Sequence, residues 1–495
     1  MQPLPSLVVV RGRVLLSIDM AGHFPDGPKT PPLIGALFAA RRSLLDFFLD
    51  MATYGDLSST MLGPLRMYLV NRPDLIEAVL LDHHRKVIKD NGTRLLSGLI
   101  GQGLVTSEGE LWRKQRKLAA PPMQPKRIAD YADTMLDCTQ RMVRRFRDDE
   151  VRDLYADMTQ LTFEIAGKTL LGVDPRRDAE PIARGLEALL HYFFCQLRTL
   201  EGGLPPSIDT PSRVRLRRAR KDFDAVLCRI IRRCQDSDTE AEHLLARLVR
   251  ARDDNGQPMP VEQVRDEAAT MLLAGHETTA LALTYTLYLL ALHPEVTAAV
   301  RDELDRKLGG MPPTAADVTR LPYLTAVINE SLRLFPPAFA IGREAIEKFE
   351  LGGYAIAPGA QLILSPYVVQ RDPRYFREPR RFLAERWLGS ELDDLPRFAY
   401  FPFGGGPRIC IGSHFAILET KLVLAVLLTQ IDLCVLPGFR IELDPSVTLR
   451  PRHGLRMLVR WRRPARPKRA TLRPSRPPGA RLTRASDVPA RTTRD

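Results

Sequence analysis

The sequence is most informative between residues 403 and 412, where it reads Phe403-Gly-Gly-Gly-Pro-Arg-Ile-Cys410-Ile-Gly412. An apolar stretch follows and predicts a helix from Ile411 to about Thr429. A loop that feeds a helix N-terminus presents backbone N–H groups, which stabilise the charge of a metal-ligating thiolate. Its glycines would let the backbone come close to a flat cofactor. The segment therefore indicates Cys410 as a metal ligand, although a glycine loop before a cysteine can also be structural.

Two neighbours of this cysteine suit the same chemistry, because Phe403 could shield the sulfur and Arg408 offers a fixed positive charge for a carboxylate. The whole string resembles the haem-ligand signature of the cytochrome P450 family, Phe403-x-x-Gly406-x-Arg408-x-Cys410-x-Gly412. The resemblance implies haem b with Cys410 as the axial thiolate. It also implies a mainly α fold with small β-sheets (α+β), in which the haem lies between a long distal helix and the proximal cysteine loop.

A second motif, Glu330-Ser-Leu-Arg333, resembles the Glu-x-x-Arg element of the family. The i, i+3 spacing places both side chains on one helix face, where they can pair. Taken alone this is most often a weak surface pair. The resemblance implies a buried pair joined by Arg386 from the segment Ala384-Glu-Arg-Trp387, in which Ala384 replaces the usual proline.

The distal helix motif of the family corresponds to Ala274-Gly275-His276-Glu277-Thr278-Thr279. Ala274 and Gly275 would let a helix pass close over a haem face and leave room for dioxygen. Glu277 and Thr278 are an acid and an alcohol on an otherwise apolar helix, and the resemblance implies that they relay protons through water. The alternative is that Thr278 bonds to a carbonyl one turn earlier and Glu277 pairs with a cation. His276 is interpreted as a packing or water contact.

Arginines suit the haem propionates, because a planar guanidinium meets a carboxylate with two parallel hydrogen bonds. Trp112 and Arg116 match the Trp-x-x-x-Arg pair that holds a propionate in the family. Arg343 and Arg408 occupy the positions of two further propionate partners.

Length and composition predict one large globular domain. The chain has 495 residues, of which 44% are hydrophobic and 26% charged, and no internal repeat or central linker divides it. We expect an N-terminal arm at 1–24, a haem domain at 25–461 and a basic tail rich in proline and arginine at 462–495. The tail has eleven basic side chains against two aspartates, so the other 461 residues carry a formal charge of only +4.

The tail predicts disorder, because it has six prolines and almost no large apolar side chains. It could adhere to nucleic acid or anionic lipid. A passive solvated extension is the alternative. Since the remaining charge is nearly balanced, specific nucleic-acid binding is not indicated.

Periodicity predicts mostly helix from Arg41 to about Leu334, with short strands such as Leu65 to Val70. Ser107 and Glu110 form a capping-box pattern that predicts the start of a helix. The longest helix is predicted from near Val261 to before Pro294. After Pro336-Pro337 the pattern changes to short strands and turns.

No membrane span is predicted, since the N-terminal apolar run covers only Leu7 to Val10 and Ala268 to Leu292 contains His276 and Glu277. Six cysteines without a Cys-x-x-Cys pair indicate a reducing, cytoplasmic setting.

The resemblance implies an oxidoreductase, a haem-thiolate monooxygenase that activates O2 with electrons from a separate ferredoxin or flavin reductase. Arg113 and Lys117, on the helix of Trp112, are expected to face such an acidic partner. An isomerase, dehydratase or peroxygenase of the same family is the alternative. A haem-binding sensor or carrier is another, although it has no need for Glu277 and Thr278.

The substrate is expected to be an apolar small molecule such as a lipid, a terpenoid or a polyketide-like compound. The resemblance places the pocket walls at 91–105, 183–211, Ala274 and 338–341. Leu99, Leu204, Phe339 and the cluster from His191 to Phe194 make an apolar pocket plausible, although each could be ordinary core.

Overall fold

The computed structural model describes residues 6–10, 13–17, 24–29, 43–62, 65–174, 179–199, 201, 204–205, 207–236 and 243–462. Most of residues 1–24 and the tail from 463 onwards lie outside the described residues. The arm and the disordered tail therefore stay predictions. The described part up to Trp461 belongs to one compact unit.

Helices form most of the described chain. They are α1 (Leu44–Ala52), α2 (Pro73–Glu77), α3 (Asn91–Leu95), α4 (Ser97–Ile100), α5 (Gly109–Ala119), α6 (Pro125–Ala129), α7 (Ala132–Val143), α8 (Leu154–Ala166), α9 (Ala179–Arg198), α10 (Pro211–Asp236), α11 (Leu244–Arg250), α12 (Val261–Leu292), α13 (Pro294–Leu308), α14 (Pro322–Leu334), α15 (Pro366–Val369) and α16 (Ser413–Gln430). π-Helical turns follow α2 at Ala78–Asp82 and α8 at Gly167–Leu171.

Short strands complete the fold. They are β1 (Ser6–Val10), β2 (Arg13–Ser17), β3 (Leu57–Leu62), β4 (Leu65–Val70), β5 (Val87–Lys89), β6 (Glu150–Asp153), β7 (Ile341–Ala345), β8 (Phe349–Leu351), β9 (Tyr354–Ile356), β10 (Gln361–Leu364), β11 (Ile431–Val435), β12 (Leu443–Pro445), β13 (Leu449–Pro451) and β14 (Arg456–Trp461). The expected mainly α fold with small β-sheets is confirmed.

The largest sheet has the strand order β3-β4-β10-β7-β5, in which only β4 and β10 run parallel. Its register places Lys89 on β5 opposite Arg343 on β7. Two cations distant in the sequence therefore meet at one edge of this sheet.

Two antiparallel sheets involve the C-terminal part of the domain. The sheet β11-β14-β6 pairs the last strand with residues 150–153, and the hairpin β12-β13 pairs Asp444 with Arg450. The hairpins β1-β2 and β8-β9 are separate.

The core is organised around α12, which packs against α8, α14 and α16. Its 32 residues correspond to a length of about 48 Å. The prediction of a helix from near Val261 to before Pro294 is confirmed. Phe339, expected as a pocket wall, is buried in a separate cluster with residues of α1 and the large sheet.

The predicted capping box is wrong. Helix α5 begins at Gly109, and the N-cap residue is Glu108, which makes no side-chain cap bond. The Ser107 hydroxyl donates instead to the Gln115 side chain, at 2.5 Å, and Glu110 pairs with Arg113. Both side chains therefore bond to other side chains and leave the backbone N–H groups of the first turn uncapped.

Among the described residues, one helix is long and apolar enough to cross a membrane, namely α16. It starts three residues after Cys410, and more than half of it is buried inside the protein. That is the pattern of a core helix.

Candidate functional site

The cysteine loop is held by its own backbone and by a distant turn. The N–H of Cys410 donates to the carbonyl of Phe403 at 3.0 Å. Gly406 has φ +66°, and a Cβ there would lie 2.3 Å from the Leu80 carbonyl oxygen. The sequence predicts that these glycines let the backbone come close to a flat cofactor. In the structure the close approach at Gly406 is to another part of the chain.

Cys410 is exposed at the surface of the loop. Protein atoms nevertheless surround its thiol closely, and the loss of hydration that they cause raises the pKa of the thiol. The backbone N–H of Gly412 and the charge of Arg116 oppose that rise. Helix α16 begins at Ser413 without a side-chain cap, so the positive end of its dipole lies beside the sulfur. The site therefore suits a thiol that loses its proton to a metal.

The cationic side chains expected at the propionates lie close to this loop. Arg116 donates to the carbonyl of Ile409 at 2.9 Å, and the Arg408 guanidinium stacks 3.9 Å from the centre of the Trp112 ring. Arg343 is buried on β7, where burial lowers the pKa of its guanidinium.

Two further charged residues at this place were missed in the sequence. Burial, together with the nearby charges of Arg343 and Arg408, lowers the pKa of Lys89 to about 7. Glu108 forms an ion pair with Arg408 and accepts from the Lys89 backbone N–H at 2.6 Å. The sequence signal was weak, since Lys89 is a single cation in a three-residue strand.

A cavity of about 350 Å³ opens between these side chains. Its described lining includes Arg85, Lys89, Glu108, Trp112, Arg113, Arg343 and Arg408. Glu108 is the one carboxylate in that described lining, against five cations. Because charges of one sign repel each other where water is partly excluded, as at Lys89, Arg343 and Arg408, the cavity favours an added anionic group. The residues present therefore fit the two carboxylates of haem.

On the distal side, α12 is buried over most of its length, but Ala274 is exposed and Thr278 is half-buried. This break in burial marks the part of α12 that faces open space. The Thr278 hydroxyl donates to the Ala274 carbonyl at 2.7 Å. This is the bond to a carbonyl one turn earlier that is the alternative to a proton relay. Gly275 packs close to Leu170.

Glu277 is buried and forms an ion pair with Arg450 of β13. The alternative of a cation partner for this carboxylate is thus present in the structure. His276 is buried, places Nδ1 2.6 Å from the Leu272 carbonyl and packs edge-on against Phe163. Burial lowers the pKa of this imidazole, which matches a packing role.

A second acid near the cysteine was also missed. Glu419 lies on α16 and is completely buried, and burial raises the pKa of its carboxyl well above the usual value. The Thr279 hydroxyl partly opposes this rise, which places Glu419 beside α12. Glu419 is therefore a buried acid at the contact between α16 and α12, while the Thr279 hydroxyl itself donates to the Gly275 carbonyl at 3.2 Å.

The Glu330 carboxylate is the centre of a buried network. It accepts two hydrogen bonds of 2.8 Å from Arg333 and one of 3.1 Å from Arg386. The Trp387 indole N–H and the Leu383 backbone N–H also donate to it, at 2.9 and 3.0 Å. The segment before the cysteine loop is thus anchored to α14.

The expected substrate walls have mixed positions. Leu99 is fully buried in the main core, whereas Phe194 and Leu204 are exposed. Tyr192 and Phe193 are partly buried against the core. Only part of the expected apolar cluster therefore turns inward.

The cations expected to meet a redox partner already have partners within the chain. Arg113 pairs with Glu110, and Lys117 pairs with Asp254 at 2.6 Å. Lys114 pairs with Asp253 at 2.7 Å. All of these contacts except that of Asp253 are well exposed and therefore weak.

Comparison with known proteins gives a consistent result. The family described as cytochrome P450 matches residues 25–455. The chain is 34% identical to cyclooctatin synthase of Streptomyces melanosporofaciens over 433 residues, covering 84% of this chain and 92% of the relative. It is 33% identical to cyclooctat-9-en-7-ol 5-monooxygenase of the same organism over 414 residues, covering 83% and 90%.

A solved structure agrees with these relatives. The retinoic acid bound cyanobacterial CYP120A1 superposes with a TM-score of 0.80 at 26% identity. The match covers 89% of this chain and 99% of that one.

Proposed function

Because the chain belongs to the cytochrome P450 family and is a monooxygenase, we propose that it binds haem b through Cys410 and oxidises an apolar small molecule of the terpenoid class. The observation that carries this proposal is the Cys410 thiol at the uncapped start of α16, near a cavity lined by five cations and one carboxylate. When bound, thiolate-ligated haem iron supplies the chemistry that inserts oxygen from O2 into a C–H bond.

The chain itself would hold this group at two places. Cys410 would give up its proton and ligate the iron, with Gly412 and Arg116 stabilising the thiolate. Arg343 and Arg408 of the cavity, with Arg116 beside the cysteine loop, would hold the propionates, and Lys89 is a fourth cation. Trp112 fixes the orientation of Arg408 by stacking.

Thr278 would accept a hydrogen bond from water at the open face of α12, since its own proton is directed to the Ala274 carbonyl. Glu277 would supply protons once it turns away from Arg450. Dioxygen and two electrons are then needed from outside the chain.

The substrate proposal rests on the relatives and the pocket walls. Cyclooctatin synthase and cyclooctat-9-en-7-ol 5-monooxygenase support an alicyclic terpenoid. Ala274 leaves space above the site, and Tyr192 and Phe193 turn inward. Among the classes considered, this favours a terpenoid over a lipid chain or a polyketide-like compound.

We further propose that a separate acidic ferredoxin or flavin reductase docks on the face of Arg113 and Lys117. Their partners Glu110 and Asp254 are exposed, so an acidic protein can replace them at little cost.

All six cysteines are free, which supports a reducing cytoplasm.

The experiment that tests the function is the carbon monoxide difference spectrum of the reduced protein. We expect the thiolate band in the natural chain and its loss in Cys410→Ser with haem still bound. A panel of cyclic terpenoids, fatty acids and polyketides then identifies the ligand by the substrate-induced shift of the haem absorption. A chain that gives the thiolate band but turns over only with peroxide would be a peroxygenase.

A further inference from the structure

The N-terminal half of α12 has a polar stripe that the proposed function does not use. Gln263, Glu267 and Thr270 follow one another at spacings of four and three residues. Continued at helical spacing, the same face reaches Ala274 and Thr278. From Gln263 to Ala274 the stripe is about 16 Å long. It therefore connects the outer end of α12 to its open face.

Each residue of this stripe has a buried polar atom without a partner among the described residues. The atoms are Gln263 Nε2, Glu267 Oε1 and Thr270 Oγ1. Glu267 is 0% and Thr270 3% exposed. Buried polar atoms are almost always hydrogen-bonded, and water fills the role where protein does not. Three such atoms in one row indicate a row of ordered water.

Glu267 holds a proton at neutral pH. Burial raises the pKa of its carboxyl to about 8, and the neighbouring charge of Asp266 adds to this effect. Glu267 Oε2 accepts from the Leu104 N–H at 3.3 Å, which only partly opposes the rise. Asp266 itself pairs with Arg265 and accepts from the Gln102 N–H. The free oxygen Oε1 is therefore part of a neutral acid.

The loop before α5 covers the stripe on its outer side. A Cβ on Gly103 would lie 2.1 Å from Thr270 Oγ1 and 2.6 Å from the Asp266 carbonyl oxygen. Only a glycine lets the backbone lie this close to α12. The stripe is thus enclosed beside Thr270, is half-buried at Gln263, and meets open space at Ala274.

We propose that the stripe is a second proton path to the distal face, in which Glu267 carries the proton between water at Gln263 and water at Thr270. In each transfer the Glu267 O–H bond breaks as a proton passes to the water near Thr270. A proton from the water near Gln263, which takes one in turn from the solvent, re-forms that bond and regenerates the carboxyl. The water near Thr270 gives up its extra proton at the open face beside Ala274. The path is separate from Glu277, which points to Arg450. The role of this path as a source of protons for substrate oxidation rests on the proposed function.

A purely structural role for Glu267 is the competing explanation, because its bond to Leu104 anchors the covering loop. The variant Glu267→Gln separates the two roles. A glutamine keeps a carbonyl oxygen for the Leu104 N–H but has no exchangeable acid proton. A structural role therefore predicts little change in this variant.

The first test is infrared spectroscopy of the haem-loaded protein at pH 7. We expect a protonated-carboxyl band that is absent in Glu267→Gln and shifts when the solvent is changed to D2O. In Thr270→Val the band should remain, at the same frequency. The proposal is overturned if Glu267→Gln removes no such band, or if the band does not exchange with solvent deuterium.

The second test measures delivery of protons. In a Glu277→Gln background, Glu267→Gln should slow product formation by about 10²-fold, the lower end for acid–base catalysis, and raise the solvent isotope effect. Thr284→Val, a buried threonine on the same helix that bonds to Ala280, is the control and should leave both unchanged. Equal rates for Glu267→Gln and the control would exclude the path. If the protein gives no thiolate spectrum, the proposed function is wrong. The infrared band of the Glu267 carboxyl then still tests the proton path independently.

Discussion

Arg450 on β13 forms an ion pair with Glu277 on α12, in the interior of the protein and next to Thr278. Glu277 is 4% exposed, so the Arg450 guanidinium takes the place of water beside its carboxylate. The β12-β13 hairpin therefore supplies the ion-pair partner of the acid beside the distal threonine.

We expect Arg450→Met to lower the free energy of unfolding by about 2 kcal/mol, because it leaves a buried carboxylate without a counter-ion; the partial exposure of Arg450 reduces the effect. Glu277→Gln should cost less, and the double variant should recover most of the loss. Denaturant unfolding of the three variants measures this. Strictly additive losses would mean that the pair is not coupled.

Thr278→Ala should keep the thiolate spectrum but release more peroxide for each electron pair consumed, because water loses its acceptor at the open face. Thr278→Ser should restore coupling. Product and peroxide formed per reductant are the measurement, with Thr284→Ala as the control. Unchanged coupling in Thr278→Ala would remove the residue from the relay.

Lys89→Met and Arg343→Met should each speed haem loss to excess apomyoglobin about tenfold, the value of one charge-assisted hydrogen bond. Since the pKa of Lys89 is about 7, its charge is present below that pH and is lost above it. Bound propionates would raise this pKa, so haem retention should be full below pH 7 and weaken as the pH rises above 7. This pH dependence should disappear in Lys89→Met. Arg306→Met, which removes an exposed cation of α13 outside this cavity, should behave like the natural protein.

Arg333→Lys should lower the free energy of unfolding by about 3 kcal/mol, because a lysine cannot reproduce the two bonds to Glu330. Burial favours a higher pKa for Glu330, but Arg333, the Leu383 backbone N–H and Arg386 together outweigh it and the net pKa is lowered. The stability from this carboxylate is thus present above the ordinary glutamate pKa and is lost as the pH falls below it. Arg306→Lys, in an exposed pair with Asp302, is the control and should change stability by less than about 0.5 kcal/mol.

Asp254→Asn should speed electron transfer from an acidic redox partner at low salt, since it frees Lys117. Lys117→Glu should slow the same step. Both effects should shrink as the ionic strength rises. Rapid-mixing reduction with a chosen ferredoxin measures them, and rates that do not respond to either change would place the docking site elsewhere.

Much of the local structure could be predicted from the sequence, because periodicity and short motifs report local geometry. Helix α12 and strand β4 are where the pattern places them. The pairing of Glu330 with Arg333 follows from their i, i+3 spacing. Ser107 was misinterpreted, because Gln115 competes for its hydroxyl and this contact depends on the fold of the loop before α5.

Contacts between distant segments could not be predicted from a single sequence. Arg450 reaches Glu277 only because the β12-β13 hairpin packs near α12. Lys89 meets Arg343 through the sheet register, and Glu419 is buried through the packing of α16 on α12. In each case a polar residue looks ordinary until its partner is known.

The contact of Gly406 with the Leu80 carbonyl has a consequence for recombination with relatives. A chimera whose crossover lies between residues 82 and 403 takes these two positions from different parents. Any parent that shifts the turn at Ala78–Asp82 by a fraction of an ångström would push on the loop that positions the sulfur. Productive crossovers should therefore be those that inherit both segments together, even though more than 300 residues separate them in the chain.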